Sequence, residues 1–356
     1  MKNIISLNYV NEEEQKLVQE FLENNNIKKY ILGINKFTKS VLKNIKVDGV
    51  IDDFTRVQSS RKKDILKIED IPKKSIILWT SFGSPLEVKN RLDDMGFLNF
   101  SYLAFFKYSK LKLAIPPFII DFKNDFINNK SKYERIYNLL EDKKSKEIFE
   151  KIINFKISFD YNFMKGFTNN FDNQYFDKKI VPNIKNIVFL DGGGYVGDTT
   201  PNIIKNYPDF KKIYLIEPNE LHINIAKRDF GNIKNIEFTN CGLGSKKSEN
   251  KTQQIEQNNC NHNFQAINID TIDNILKEKV DFIKLDIEGA EQDAIDGAKN
   301  SIKKYKPILA ICIYHKAEDW YKIPQKVLEI NKNYKIYIRH YMEGIYETVM
   351  YFIPYS

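Results

Sequence analysis

The sequence predicts an α/β protein in three parts: a small α/β domain over 1–118, a helical connector over 119–180, and a larger doubly wound sheet domain over 181–356. Three observations predict it. Strand-like apolar runs alternate with helical patterns in both outer parts, the signature of parallel sheets. The middle part turns to polar helix with scattered aromatics. In the larger part, one apolar strand runs straight into a glycine cluster and a helix start. At 356 residues the chain is long for a single core, which makes more than one domain the natural expectation.

The first part opens with a polar helix at 12–24, then a strand at 29–35 and helical spacing at 37–45. A second strand, 47–53, ends in Asp52 and Asp53, and a third, 75–80, precedes a helix running through Met95. This resembles a Rossmann-like nucleotide fold with its fingerprint missing. A dinucleotide loop needs glycines for the tight turn and for close approach to phosphate, yet only Gly33 is present, followed by Ile34, Asn35 and Lys36. Gly33 to Ser40 is no phosphate loop of the Walker type either, because it lacks the second glycine before Lys39. The part reads as structural, recognition-bearing or dimer-forming. In the connector, Tyr133, Ile136, Tyr137 and Leu140 recur at helical intervals.

The larger part carries strands at 187–191, 212–217, 236–242, 280–286, 307–314, 334–339 and 346–352, the last after the Glu343-Gly344 turn. Helix-linked strands closing in a hairpin predict a mixed seven-stranded sheet with one antiparallel strand. The Asn-rich stretch 248–263 reads as a polar loop.

The formal net charge of +8 comes from basic residues diluted by 47 acids, with no aromatic-interleaved stripe. That argues against a nucleic-acid partner. No stretch is apolar for long enough to span a bilayer, and residues 1–11 lack the parts of a signal peptide, so a cytoplasmic location is expected. Cys241, Cys260 and Cys312 are too few and irregular for a disulfide framework or a zinc site, and read as reduced thiols.

Asp191-Gly-Gly-Gly-Tyr-Val-Gly197 contains GxGxxG at Gly192, Gly194 and Gly197. Alone that pattern is weak. Here a strand precedes it, and Thr200 and Pro201 follow as N-cap and first helical residue. Glu217, ending the next strand, stands where a carboxylate takes ribose hydroxyls. Dinucleotides and S-adenosylmethionine both satisfy these features, so Asp191 decides. Beside a pyrophosphate its charge is repelled by about 4 kcal/mol at ~4 Å and intermediate dielectric. Beside a sulfonium and an ammonium it is attracted.

Val188-Phe-Leu-Asp-Gly-Gly-Gly-Tyr-Val-Gly-Asp-Thr-Thr200, Ile216-Glu-Pro-Asn219 and Asp281-Phe-Ile-Lys-Leu-Asp-Ile-Glu-Gly-Ala-Glu291 resemble the FkbM family of methyltransferases. So do Ile313-Tyr-His-Lys-Ala-Glu-Asp319, Ile338-Arg-His-Tyr341 and Glu347-Thr348. The resemblance spans about 175–354 and implies a class I methyltransferase fold using S-adenosylmethionine. It also implies methyl transfer to a hydroxyl of a sugar, sugar nucleotide, glycan or secondary metabolite, with a place in polysaccharide biosynthesis. It puts Asp191, Gly192, Gly193, Gly194, Gly197 and Thr199 on the methionine half of the cofactor. Glu217 and Pro218 fall at the ribose, Cys241 and Gly242 near the adenine beside Asn240, and Asp286 by the sulfonium.

An alcohol acceptor needs help to lose its proton, and histidine suits that task. His315 follows the strand 307–314 on the edge where open α/β sheets bind ligands, with Asp319 placed to orient it. His340 ends another strand near the same edge. His315 is the expected base and His340 the alternate; His222 and His262 read as solvated. Asp286, Glu288, Glu291 and His315 could suit a divalent metal, but first-turn acids also satisfy a helix dipole, and the expectation is metal independence. Arg339 either holds an anionic acceptor or, as the safer reading, pairs with Glu347. Tyr175 and Phe176 either cover the cofactor or join the domains. A phosphate-type acceptor and a nicotinamide-dependent oxidoreductase are the competing functions.

Overall fold

The computed structural model describes residues 1–53, 65–257 and 261–355. Cys260 and the side chain of His262 lie outside the described part.

The first sheet contains β1 (Lys28–Leu32), β2 (Gly49–Ile51), β3 (Ile65–Leu66), β4 (Ser75–Trp79) and β5 (Leu98–Ser101). Neighbours are parallel, in the order β3-β2-β1-β4-β5. The order reverses between β1 and β4, where open α/β sheets keep ligands. Here protein groups fill the notch. Gly33, at φ +108°, leaves β1 so close to Thr80 that a Cβ would stand 2.7 Å from Thr80 Oγ1. Asn35 Nδ2 donates to Thr80 O at 3.1 Å, while its Oδ1 accepts from Phe37 N and Thr38 N. The N-terminus of the helix Pro85–Asp94 is taken by a distant carboxylate, as Leu86 N and Glu87 N donate to Glu343 Oε2 at 2.9 and 3.0 Å.

Two helices, Phe122–Leu139 and Lys143–Ser158, follow. The second is buried at nearly every position from Ile148 onward. Its buried apolar residues share one core with strands of both sheets, and buried Glu150, Asn154 and Lys156 find hydrogen-bond partners in Asn3 and Phe118.

The larger sheet comprises β6 (Val188–Gly192), β7 (Lys212–Ile216), β8 (Ile236–Thr239), β12 (Phe282–Leu285), β13 (Ile308–Cys312), β14 (Tyr334–His340) and β15 (Thr348–Pro354). Its order is β14-β15-β13-β12-β6-β7-β8, with β15 antiparallel to both neighbours. This is the predicted mixed seven-stranded sheet. It reverses between β6 and β12, so their carboxyl ends open a crevice. Beside it, β9 (Gly242–Leu243), β10 (Ser248–Gln257) and β11 (Asn261–Asp270) form a third, three-stranded sheet.

Two expectations change. Of the stretch expected as a polar loop at 248–263, residues 248–257 and 261–263 are paired strand in β10 and β11, whose Asn- and Gln-rich sequence hides any apolar alternation, and 258–260 lie outside the described residues. The helix Thr200–Asn206 has Thr199, not Thr200, at its N-cap, with no side-chain cap bond. A single apolar core joins β1 and β4, Phe149 and Phe155 of the connector, and β12 and β13. Among the described residues no helix is long and apolar enough to cross a membrane.

Candidate functional site

The glycine loop is built by close approach. Gly193 and Gly194 donate their N–H groups to Ile216 O at 3.0 and 2.9 Å, tying the loop to the end of β7. Gly193 has φ +75°, and a Cβ there would fall 1.8 Å from Asp286 O. A Cβ on Gly194 would fall 2.5 Å from Leu215 Cγ. The crevice between β6 and β12 therefore admits only bare backbone at this point.

Glu217 sits at the adjoining strand end. Its Oε2 accepts from Tyr195 N at 3.1 Å and its Oε1 from Asn219 N at 2.8 Å. Asn240 Nδ2 donates to Glu217 O and Pro218 O at 2.9 and 3.0 Å, so that amide braces the strand end. His222, expected in solvent, is half-buried: Nδ1 stands 3.6 Å from Glu217 Oε1, and its ring lies 4.4 Å from that of Tyr195. Cys241 is buried, which pushes its thiol up to about 12. Gly242 starts β9, and Thr199 N donates to Asp198 Oδ1 at 3.0 Å.

Asp191 departs from expectation. It is wholly enclosed, and its charge is met by Lys284, whose Nζ stands 2.9 Å from Asp191 Oδ1 and donates to Gly193 O at 2.8 Å. Burial pushes the Asp191 carboxyl up, with Lys284 pulling against it. Burial also works against the Lys284 charge, but Asp191 and Asp286 outweigh it and raise its pKa. The pair underpins the loop from below, so the carboxylate is not free to meet a ligand cation. Sequence reasoning missed Lys284; the signal was a lysine inside the apolar strand Phe282–Leu285.

Asp286 is the centre of a second group. Its Oδ1 accepts from Tyr314 OH at 3.0 Å and its Oδ2 from Tyr175 OH at 3.1 Å. Burial alone would push this carboxyl up; Lys284, His315 and the two phenols outweigh it and hold it below the usual range. Phe176 instead packs into the core against Phe189 and Tyr207.

His315 arrives where expected, its Nε2 3.5 Å from Asp286 Oδ1. Its carboxylate neighbour at Nδ1 is Glu291, at 3.0 Å, rather than Asp319. Asp319 folds back to accept from Lys316 N and Gln292 Nε2. Burial opposes a charge on His315, but Glu291, Asp286 and Glu288 raise its pKa to about 9. Asp286, Glu291 and His315 each offer a ligand atom, and these lie within 4.8 Å of one another.

His340 is not at this site. It is buried, with Nδ1 2.9 Å from Thr348 Oγ1 and its ring against Phe167, and burial pulls its pKa down to about 3. Neutral and enclosed, it packs the hairpin and is no acceptor-facing base. Arg339 does not pair with Glu347. Its Nη2 donates to Asp142 Oδ2 at 2.6 Å and its Nε to Asp177 Oδ2 at 3.1 Å. Glu347 turns the other way, at φ +62°, and accepts from Gln174 Nε2. Burial, with Asp286 nearby, pushes its carboxyl up to about 8.

A doubly wound sheet with a glycine loop at its switch point defines a nucleotide-type α/β enzyme fold. Residues 191–336 match the family model of the methyltransferase FkbM domain, and this part of the chain is a methyltransferase domain of that family. The solved structure of methyltransferase FkbM from Methylobacillus flagellatus KT is similar over 96% of this chain and 93% of that one, at TM-score 0.74 and 21% identity. The fold is thus shared through the N-terminal sheet as well. Fibrillarin from Aeropyrum pernix, with natively bound S-adenosyl-L-methionine, is similar over 49% of this chain and 69% of that one, at TM-score 0.34 and 12% identity. An rRNA methylase from Streptococcus thermophilus is similar over 48% of this chain and 89% of that one, at TM-score 0.34 and 12% identity. No curated protein matches the sequence.

Proposed function

We propose that this methyltransferase uses S-adenosylmethionine to methylate a hydroxyl of a sugar, sugar nucleotide or surface glycan. The observation that carries the reading is the backbone cradle at Gly193, packed on Asp286 and set beside Glu217 at the sheet's switch point. Bare backbone fits the methionine half of that cofactor, and a carboxylate fixed by two N–H groups fits its ribose hydroxyls. When bound, the cofactor supplies an activated methyl group. Because Lys284 neutralises Asp191, that residue no longer discriminates against a dinucleotide; the family match carries the choice.

The acceptor would enter a cavity of about 360 Å³ whose lining includes Phe118, Phe122, Asp125, His315 and Glu318. Aromatic faces with carboxylates suit a hydroxyl-bearing ring. A phosphate-type acceptor loses its support, since Arg339 is committed to Asp142 and Asp177. His315 lines that cavity, with Asp286 3.5 Å from its Nε2. With its pKa raised to about 9, its imidazole is protonated at neutral pH, so the two orient the acceptor oxygen rather than share its proton, and His340 has no part in it. The protein orients the acceptor and keeps water away from the methyl group.

Incubating extracted glycans and sugar nucleotides with the protein and isotope-labelled S-adenosylmethionine tests this by mass spectrometry. Gain of one labelled methyl on an oxygen is expected, with strong loss in His315→Ala. Label on nitrogen or carbon, or full activity in that variant, would sink the O-methyl assignment or the role of His315 respectively.

A further inference from the structure

We propose that Asp286, Glu291 and His315 form a binding site for a divalent cation, with Mn²⁺ the ion best matched to the donors. The residues come from the end of β12, from the start of the helix Glu291–Asp296 and from the segment after β13. Only the fold brings them together. Each offers one ligand atom, and all lie within 4.8 Å of one another. Ligands held at about 2.0–2.4 Å from a common ion stand at most roughly 4–5 Å apart, so the spacing is that of one coordination sphere.

A second observation points the same way. Glu291 and His315 have side chains 0% and 1% exposed. Glu291 Oε2 has no hydrogen-bond partner among the described residues, and of the His315 ring nitrogens Nδ1 faces Glu291 Oε1 at 3.0 Å while Nε2 has no aligned partner. Buried polar atoms in a native protein are almost always satisfied, and an exception inside a cluster of ligand atoms is what a bound ion would explain.

The surrounding residues fix the donors as outer-shell groups do around a metal. Glu291 Oε1 accepts from Ile287 N at 2.9 Å and Gly289 N at 3.4 Å and faces His315 Nδ1 at 3.0 Å, while Oε2 is unpartnered among the described residues. Tyr175 and Tyr314 hold the two oxygens of Asp286. Carboxylates suit Mg²⁺ and Mn²⁺ while imidazole suits later transition ions, so a mixed set favours Mn²⁺ over Mg²⁺ or Ca²⁺. The alternative grouping of Asp286 with Cys312 and Glu347 has Glu347 already engaged by Gln174 and the Cys312 thiol beside Tyr175 OH.

The site deepens the proposed function, resting on that reading only for its purpose. A cation beside the acceptor cavity would polarise the acceptor oxygen and lower its affinity for its proton.

Full-length protein stripped of metal and titrated with MnCl₂ tests the site, by calorimetry and by loss of the free-ion EPR signal. One Mn²⁺ per chain is expected. His315→Gln and Glu291→Gln, each first shown by circular dichroism to be folded, should weaken binding by about tenfold or more. Asp286→Asn serves in place of a variant that fails to fold. No saturable binding by folded wild-type protein, or binding untouched by the substitutions, overturns the site. S-adenosylhomocysteine titrated separately keeps the two ideas apart, because its binding without Mn²⁺ binding leaves the methyltransferase reading intact.

Discussion

Three residues set the behaviour of the crevice and its surroundings. Gly193→Ala introduces a Cβ where Asp286 O already stands, at a φ of +75°. A stability loss of about 1–3 kcal/mol and loss of S-adenosylhomocysteine binding are expected by denaturation and calorimetry. Glu217→Gln loses the charge and sets an amide NH₂ against one of the two N–H groups that Glu217 now accepts from, and should weaken that binding about tenfold, roughly 1.4 kcal/mol. Lys156 carries a pH signature. Its Nζ donates to Phe118 O at 2.9 Å and is otherwise enclosed, and burial pulls its pKa from 10.5 down to about 7. Below pH 7 the folded protein holds a buried charge; between about 7 and 10.5 it is neutral while the unfolded chain still binds the proton. Lysine's contribution to stability therefore rises with pH across that window. Lys156→Met should gain most in melting temperature below pH 7 and progressively less by pH 9. A difference that does not vary with pH would contradict this account of Lys156.

Among the elements, β14 and β15 show why some of the site was legible and some was not. The strand runs, the glycine loop, and the positions of Glu217, Asp286 and His315 follow from periodicity and from the rule that ligands sit at carboxyl strand ends. Which partner each side chain chooses does not, because partners come from remote segments. Arg339 is matched to Asp142 and Asp177 across 197 and 162 residues, and Glu291 rather than Asp319 meets His315. Lys284 was hidden because an apolar strand pattern gives no reason for a buried lysine until Asp191 is seen beside it. His340 reads like a strand-end base by position, yet its ring turns inward against Phe167. The Arg339 cluster fastens the connector to β14, so Arg339→Met, which leaves Asp142 and Asp177 without their partner, should cost about 3–5 kcal/mol. Chemical denaturation checks the loss, and S-adenosylhomocysteine affinity should stay unchanged while the protein is folded.

At the scale of the whole molecule, the connector helix Lys143–Ser158 makes the two sheets share one core. Trp320 packs on Phe149 of that helix at 5.1 Å, and Trp79 of the first sheet on Tyr161 just beyond it at 5.3 Å. The five-stranded first sheet, its own switch point filled by Asn35 and Thr80, packs into that same core. Unfolding should therefore be one event, with tryptophan fluorescence and circular dichroism giving coincident transitions; separate transitions would mean the sheets fold independently. All of this serves a crevice whose bare backbone and fixed carboxylate are read as a seat for S-adenosylmethionine. The most direct test is calorimetric titration of S-adenosylhomocysteine into wild-type protein, Glu217→Gln and Gly193→Ala. Saturable one-to-one binding to wild type, weakened about tenfold in the first variant and lost in the second, is the predicted result. No binding by folded wild-type protein, with NADH binding in its place, would contradict it.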